Sequence, residues 1–217
     1  MGSLIIEFQY FPSVILYKRL YNVSHIVFDQ YEHYQKMTFR NRCRIAGAGG
    51  TIDLSIPLEK GRDQRSLLKD VRISGSRKWQ AEHWKTILSC YSRSPWLEFY
   101  QDGLEQLYRR PAIFLMDWNL ACFEWSIGAL GMPLEIGVTD DYRKTYTEGD
   151  WVDWRGKILP KMKGGMIQDF LGLSQPAYRQ VFEERTGFLP GLSILDLLFC
   201  EGKNARGLLG GSDIDDR

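Results

Sequence analysis

Four cations stand close together between Tyr31 and Ile45 (YEHYQKMTFRNRCRI): Lys36, Arg40, Arg42 and Arg44, interleaved with Tyr31, His33, Tyr34, Phe39 and Asn41. A guanidinium group chelates phosphate or carboxylate oxygens in pairs, which makes Arg40 and Arg42 candidate anion ligands, with Lys36 adding charge to the same ligand. Histidine is the side chain that moves protons near neutral pH. His83 follows Lys78 and Trp79 by helical steps and precedes Trp84, and His33 lies between Glu32 and Tyr34 at the entrance to the cationic stretch. Both are candidate acid–base groups, together with Asp29 just upstream. Each has a structural alternative: a histidine braced by tryptophan on a half-buried helix face, and a charged edge strand guarded against aggregation.

The elements that must position these groups follow from periodicity. Read as a strand, Tyr31 to Ile45 puts Lys36, Thr38, Arg40, Arg42 and Arg44 on one face and Met37, Phe39, Cys43 and Ile45 on the other. Asn41 then falls on the back face, suited to fixing a turn or a backbone group. The glycines of AGAGG and the alternating run Thr51 to Leu58 complete a β-hairpin. Upstream, Leu4 to Tyr10, the turn Phe11-Pro12-Ser13, the helical run Val14 to Val23 and the apolar run His25 to Asp29 form a strand–helix–strand unit, for which parallel pairing is the default. Ligands of such sheets bind beyond the C-terminal strand ends, which brings Tyr10, Asp29 and the start of the cationic stretch toward one cleft.

Downstream, Leu68 to Ile73 reads as a short strand, and Ser76 as the cap of a helix covering Trp79 to Ser92. Leu97 to Tyr108 and Ala112 to Leu130 follow as helices, the latter apolar nearly all round and ended by Gly131. Leu134 to Val138 is a strand, and Thr139 to Pro176 a polar stretch suited to a mobile loop or lid. Tyr178 to Phe182 forms a strand or turn, and Leu192 to Phe199 a helix with Ser193 and Asp196 as its capping box. The sum is an α/β protein: a strand–helix–strand unit and a hairpin forming a mixed sheet, packed with a central helical region. Residues 1–209 read as a single domain, with a basic α/β part to about residue 75, a helical part over 76–131 and an irregular, C-terminal helical part after it. Residues 210–217 read as a disordered tail.

Several chemistries are excluded. Cys43, Cys90, Cys122 and Cys200 are scattered without a CxxC pair, which argues for buried thiols in a reducing compartment. No metal pattern accompanies Asp29, Glu32 and His33. No Gly-x-Ser-x-Gly elbow is present, and AGAGG lacks the Gly-Lys-Ser/Thr end of a phosphate loop. The net charge of +1 conceals a basic first half, with 17 Lys/Arg against 11 Asp/Glu in residues 1–110. That suits an anionic small molecule and is too weak for nucleic acid. No run approaches the about 20 apolar residues of a membrane span, and the N-terminus lacks a secretory signal, so the expected location is cytoplasmic.

Several stretches together resemble the WbqC-like proteins. They are Tyr10-Phe11-Pro12, Tyr34-Gln35-Lys36, Arg40-Asn41-Arg42, Leu54-Ser55-Ile56-Pro57, Lys78-Trp79 with His83-Trp84, Tyr91 with Ser94-Pro95, and Phe188 through Phe199 with Glu201-Gly202. The resemblance spans about residues 5 to 209. It implies a setting in bacterial surface-polysaccharide (O-antigen) biosynthesis and supplies neither a reaction, a cofactor nor catalytic residues. The expected function is transfer or ligation of an acyl or aminoacyl group on an activated sugar, with a sugar nucleotide or acyl donor as the anionic substrate. A non-catalytic protein binding an anionic sugar precursor is the alternative. The residues expected at the site are His83, His33 and Asp29 for chemistry, and Tyr10, Tyr34, Lys36, Arg40, Asn41, Arg42, Lys78 and Trp79 for binding.

Overall fold

A computed structural model describes residues 3–61, 65–75, 78–146, 151–160 and 174–210. The first strand, β1 (Ser3–Glu7), is followed by α1 (Val14–Leu20) and β2 (His25–Asp29), and the two strands pair in parallel from Ser3↔His25 to Glu7↔Asp29. β5 (Glu135–Val138) adds in parallel outside β2, and β6 (Trp151–Asp153) adds in parallel outside β1. The sheet order is β5-β2-β1-β6. The chain leaves β1 toward β2 on one side and returns to β6 on the other, so the winding reverses at β1. At such a reversal the loops beyond the C-terminal strand ends part and leave a crevice.

Continuous apolar runs are what a parallel sheet covered on both faces requires. Phe8, at the end of the β1 run, stacks on Phe28 with ring centroids 4.6 Å apart. Phe28 meets Phe123 edge-on at 4.9 Å, and Tyr17 of α1 stacks on the same Phe123. Phe123 belongs to α4 (Leu115–Leu130), which follows α2 (Trp79–Tyr91) and α3 (Leu97–Tyr108). Leu115, Trp118, Cys122, Phe123, Ile127 and Leu130 of α4 recur at three- and four-residue steps and are all buried. Each such side chain contributes about 1.5–3 kcal/mol by leaving water. α4 ends on Gly131, whose φ of 61° is the left-handed turn that glycine adopts without a Cβ clash. The chain closes with α5 (Glu183–Thr186), α6 (Ile194–Glu201) and α7 (Ala205–Gly210). Its four cysteines are free thiols.

The α/β architecture is the one expected, with the antiparallel hairpin standing as a two-stranded sheet of its own. Several local expectations are corrected. The hairpin strand is β3 (Arg42–Gly47), paired with β4 (Gly50–Ser55), and Tyr31 to Asn41 is not strand. Its backbone groups are taken by turns and by neighbouring segments: Tyr34 N donates to Ser66 O, Thr38 Oγ1 donates to Gln35 O, and Tyr10 N donates to Phe39 O. Met37, at φ 61°, breaks the alternation on which the strand reading rested. Leu68 to Ile73 holds a 3-10 turn, Leu68–Asp70, and isolated bridges at Arg72 and Ile73 instead of a strand, because no continuous partner lies beside it. One of those bridges, Arg72↔Phe114, and the bond from Ile73 N to Ile113 O hold residues 113 and 114 extended, so α4 starts at Leu115 and not at Ala112.

A further correction concerns α6. Ser193 does cap it, accepting from Leu195 N at 3.3 Å. Asp196 does not return to Ser193, whose N–H donates to Arg44 O instead. The Asp196 carboxylate is buried and accepts from the hydroxyls of Tyr91 and Tyr178, each at 2.7 Å. In the polar stretch Thr139 to Pro176 the sheet gains β6, where no strand was expected. Tyr178 to Phe182 is irregular and ends in a turn into α5, and Gly210 closes α7 instead of opening a tail. Ser76, parts of the loops at 61–66 and 139–176, and the tail from 211 lie outside the described residues.

Candidate functional site

The C-terminal ends of the four parallel strands carry Glu7 (β1), Asp29 (β2), Asp153 (β6) and, one residue past β5, Thr139. Asp29 is fully buried. Its Oδ1 accepts from Tyr31 N at 2.9 Å and Thr139 Oγ1 at 3.4 Å, and its Oδ2 accepts from Arg155 Nη1 at 2.6 Å. Arg155 spends its whole fork here. Nε and Nη2 donate to the two oxygens of Asp153 at 3.0 and 2.7 Å, and the remaining bonds reach the carbonyls of Arg143 and Lys144. A guanidinium has five N–H donors, and all are engaged. Burial raises the Asp153 carboxyl, but the Arg155 hydrogen bonds outweigh it and hold the group below its ordinary range. Arg155 thus ties the ends of β2 and β6 to the segment after β5. Glu7 completes this layer, accepting from Gln9 Nε2 and from Gly156 N at 2.9 and 2.8 Å.

Above these ends opens a cleft of about 500 Å³. One wall comes from the turns after β2 (Glu32, His33, Arg40), a second from the segment after β5 (Tyr142, Lys144), and the floor from the end of β6 (Asp153, Arg155, Lys157). Arg40 is not a surface cation. It is buried and makes a bidentate pair with Glu32, Nε to Oε1 at 2.8 Å and Nη2 to Oε2 at 2.6 Å. Burial pushes the Glu32 carboxyl up to about 7 against the pull of Arg40, and the charges of Glu7 and Asp29 push in the same direction. Burial disfavours the Arg40 cation, but Glu32 more than offsets it and the guanidinium stays charged. Its Nη1 is buried and has no partner among the described residues. Lys144 and Lys157 are exposed, and their ammonium groups form no ion pair among the described residues. The inner layer of the cleft thus holds four carboxylates and two guanidinium groups, each carboxylate hydrogen-bonded within the layer, while Lys144 and Lys157 add positive charge outside it.

The sequence candidates fall into separate places. Arg40 and His33 line the cleft, with Asp29 behind its floor. His33 is exposed, with Nδ1 3.1 Å from Arg65 O. Tyr10, His83 and Trp79 come together in the interior and line no part of the cleft. Tyr10 Oη lies 3.0 Å from His83 Nδ1 and 2.5 Å from Tyr108 Oη, and Trp79 packs edge-on against His83. Burial lowers the His83 imidazole to about 4, leaving it uncharged at neutral pH. Tyr34 donates to Asn41 Oδ1 at 3.0 Å, and Asn41 Nδ2 donates to Ile56 O at 2.9 Å, so this pair fixes the entry to the hairpin. Arg42 and Arg44 both face Asp53 across the hairpin, at 3.5 and 2.9 Å. Lys36 and Lys78 are exposed, Lys78 directly before α2.

Sequence reasoning did not reach Arg155, Asp153, Lys144, Lys157 or Tyr142, and it passed over Glu32 as a neighbour of His33. One signal was available: Trp151-Val152-Asp153 has the apolar run ending in an acid that also marks His25 to Asp29. Among the described residues no group of three or more His, Cys, Asp or Glu is placed to hold a metal ion, and no helix is long and apolar enough to cross a membrane.

Fold and site together define a parallel α/β protein with a charged crevice at the strand ends where its winding reverses. A family model matches residues 9–164, most of the chain, and the protein belongs to the WbqC-like protein family. The match takes in every described wall of the cleft and ends before the Phe188 to Phe199 block. No curated protein and no solved structure matches the chain.

Proposed function

We propose that the protein is an enzyme of bacterial surface-polysaccharide assembly that transfers or ligates an acyl or aminoacyl group on an activated sugar at the strand-end cleft. The observation that carries the reading is the layered charge of the cleft. The carboxylates behind it are held by Arg155, Arg40 and backbone N–H groups, and Lys144 and Lys157 are left to meet an anion. Lysine ammonium groups bind phosphate as point charges and need no fixed geometry. The family membership supports a polysaccharide-related role.

In this reading Glu32 is the proton-transfer group. Burial raises this carboxyl toward neutral pH, the direction that suits a general acid or base. Arg40 holds it in place, His33 stands at the rim as a second proton carrier, and His83 has no part in the chemistry. Inorganic pyrophosphate tests the anion site: calorimetry should give binding that falls at least tenfold in the Lys144→Ala/Lys157→Ala double variant. Absence of binding, or equal binding by the double variant, would refute the site. Glu32→Gln should leave pyrophosphate affinity within about twofold and lower turnover by about 10²–10⁴-fold. Unchanged turnover would return the protein to the alternative, a non-catalytic binder of an anionic precursor.

A further inference from the structure

Tyr142 is the feature of the cleft that an anion site does not explain. It is 62% exposed, it lines the same cleft as Lys144 and Lys157, and its ring packs on no other ring among the described residues. The neighbouring tyrosine is treated differently: Tyr146 is buried, lies against Trp151 and carries the Arg155 guanidinium over its face at 4.9 Å. Residues 142 and 144 both reach the cleft while Arg143 turns to Asp141, the alternation of an extended segment. One strip of backbone therefore brings an aromatic side chain and a lysine to the cleft that Lys157 also lines. An exposed aromatic face beside paired cations is the combination that stacks a nucleobase while its phosphates are neutralised. A cavity of about 500 Å³ is within the range of small-molecule sites.

We infer that the cleft takes a nucleoside diphosphate, with the diphosphate at Lys144 and Lys157 and the base stacked on Tyr142. The inference rests on the reading of the cleft as an anion site and names its ligand class. Two carriers contain this chemistry: a nucleotide-activated sugar, and coenzyme A, whose adenosine also bears a diphosphate.

Calorimetric titration of the full chain with pyrophosphate, UDP, dTDP, GDP, ADP and coenzyme A tests it. At least one nucleotide should bind about fivefold or more tighter than pyrophosphate, the increment that stacking one base supplies. Tyr142→Ala should bring that ligand down to the pyrophosphate level without changing pyrophosphate affinity, and Tyr142→Phe, which keeps the ring, should retain it. A preference for UDP, dTDP or GDP assigns the carrier as a sugar nucleotide, and a preference for coenzyme A assigns it as an acyl donor. If pyrophosphate binds and no nucleotide binds tighter, or if Tyr142→Ala keeps the full nucleotide affinity, the inference is wrong and the anion site stands. If pyrophosphate itself does not bind, the anion site fails and the inference falls with it.

Discussion

Two polar clusters in this molecule differ in whether their groups are closed on one another or face a cavity. In the interior, Tyr10, His83 and Tyr108 bond to one another, and Gln80 Nε2 donates to Tyr108 O at 2.8 Å. Each side-chain group finds a protein partner, and burial keeps the imidazole neutral. At the strand ends, the pair Glu32–Arg40 and the cluster Asp29–Arg155–Asp153 border a cleft that Lys144 and Lys157 also line, open on one side. A buried polar network closed on itself fixes packing, whereas one that faces a cavity has donors left for a ligand. The histidine with the more suggestive sequence surroundings is in the closed cluster. The carboxylate that burial raises toward neutral pH, Glu32, is in the open one.

The largest expected effect that would break this contrast is Arg155→Ala. It leaves Asp29 buried without its cation and frees β6 from the segment after β5. Removing one partner of a buried pair costs about 3–5 kcal/mol, so chemical denaturation should show a loss of that size together with loss of ligand binding. Arg155→Lys should recover only part of it, because an ammonium cannot reproduce the five-donor fork. A stable Arg155→Ala protein with intact binding would show that the strand ends do not depend on this residue.

His83→Ala should cost about 1–3 kcal/mol by opening a cavity and removing one of the two hydrogen bonds of Tyr10 Oη. Tyr108→Phe should cost about 1 kcal/mol, the net worth of one hydrogen bond. Neither should change pyrophosphate affinity. A large loss of binding with unchanged stability in either variant would move the interior cluster into the site.

A pH-dependent effect sharpens the comparison with a third polar centre, Asp196. Burial pushes its carboxyl from 3.8 up to about 6 against the hydrogen bonds of Tyr178 and Tyr91. A raised folded value means that the fold binds this proton more tightly than the unfolded chain does. The stabilisation is complete below about 3.8 and is lost as pH rises through about 6. Asp196→Asn has no such proton, so its stability relative to the wild type should improve as pH rises from about 4 to about 6. A difference that stays constant over that window would show that Asp196 does not titrate there.

Much of the frame was legible because it is locally coded. The apolar runs of β1 and β2, the glycine turn between β3 and β4, and the helical spacing of α2, α3 and α4 all appear within short windows of sequence. The site was less legible, for two physical reasons. Alternation alone cannot show that Tyr31 to Asn41 folds as turns, since the deciding bonds go to Ser66, Gln35 and Tyr10. Arg40, which looks like a surface cation in sequence, is neutralised eight positions upstream by Glu32. The other reason is range: Arg155 meets Asp29 across 126 positions, through a three-residue strand too short for a periodic signal. The expectation that pointed to the candidate cleft was topological, that ligands of parallel sheets bind beyond their C-terminal ends.

The central claim is that the ligand occupies the strand-end cleft and not the arginine pair of the hairpin. Backbone amide NMR during a pyrophosphate titration tests it directly. The account predicts saturable shifts concentrated at residues 32–35, 142–144 and 153–157. Shifts concentrated at Arg42, Arg44 and Asp53, with the strand-end cleft unperturbed, would contradict it.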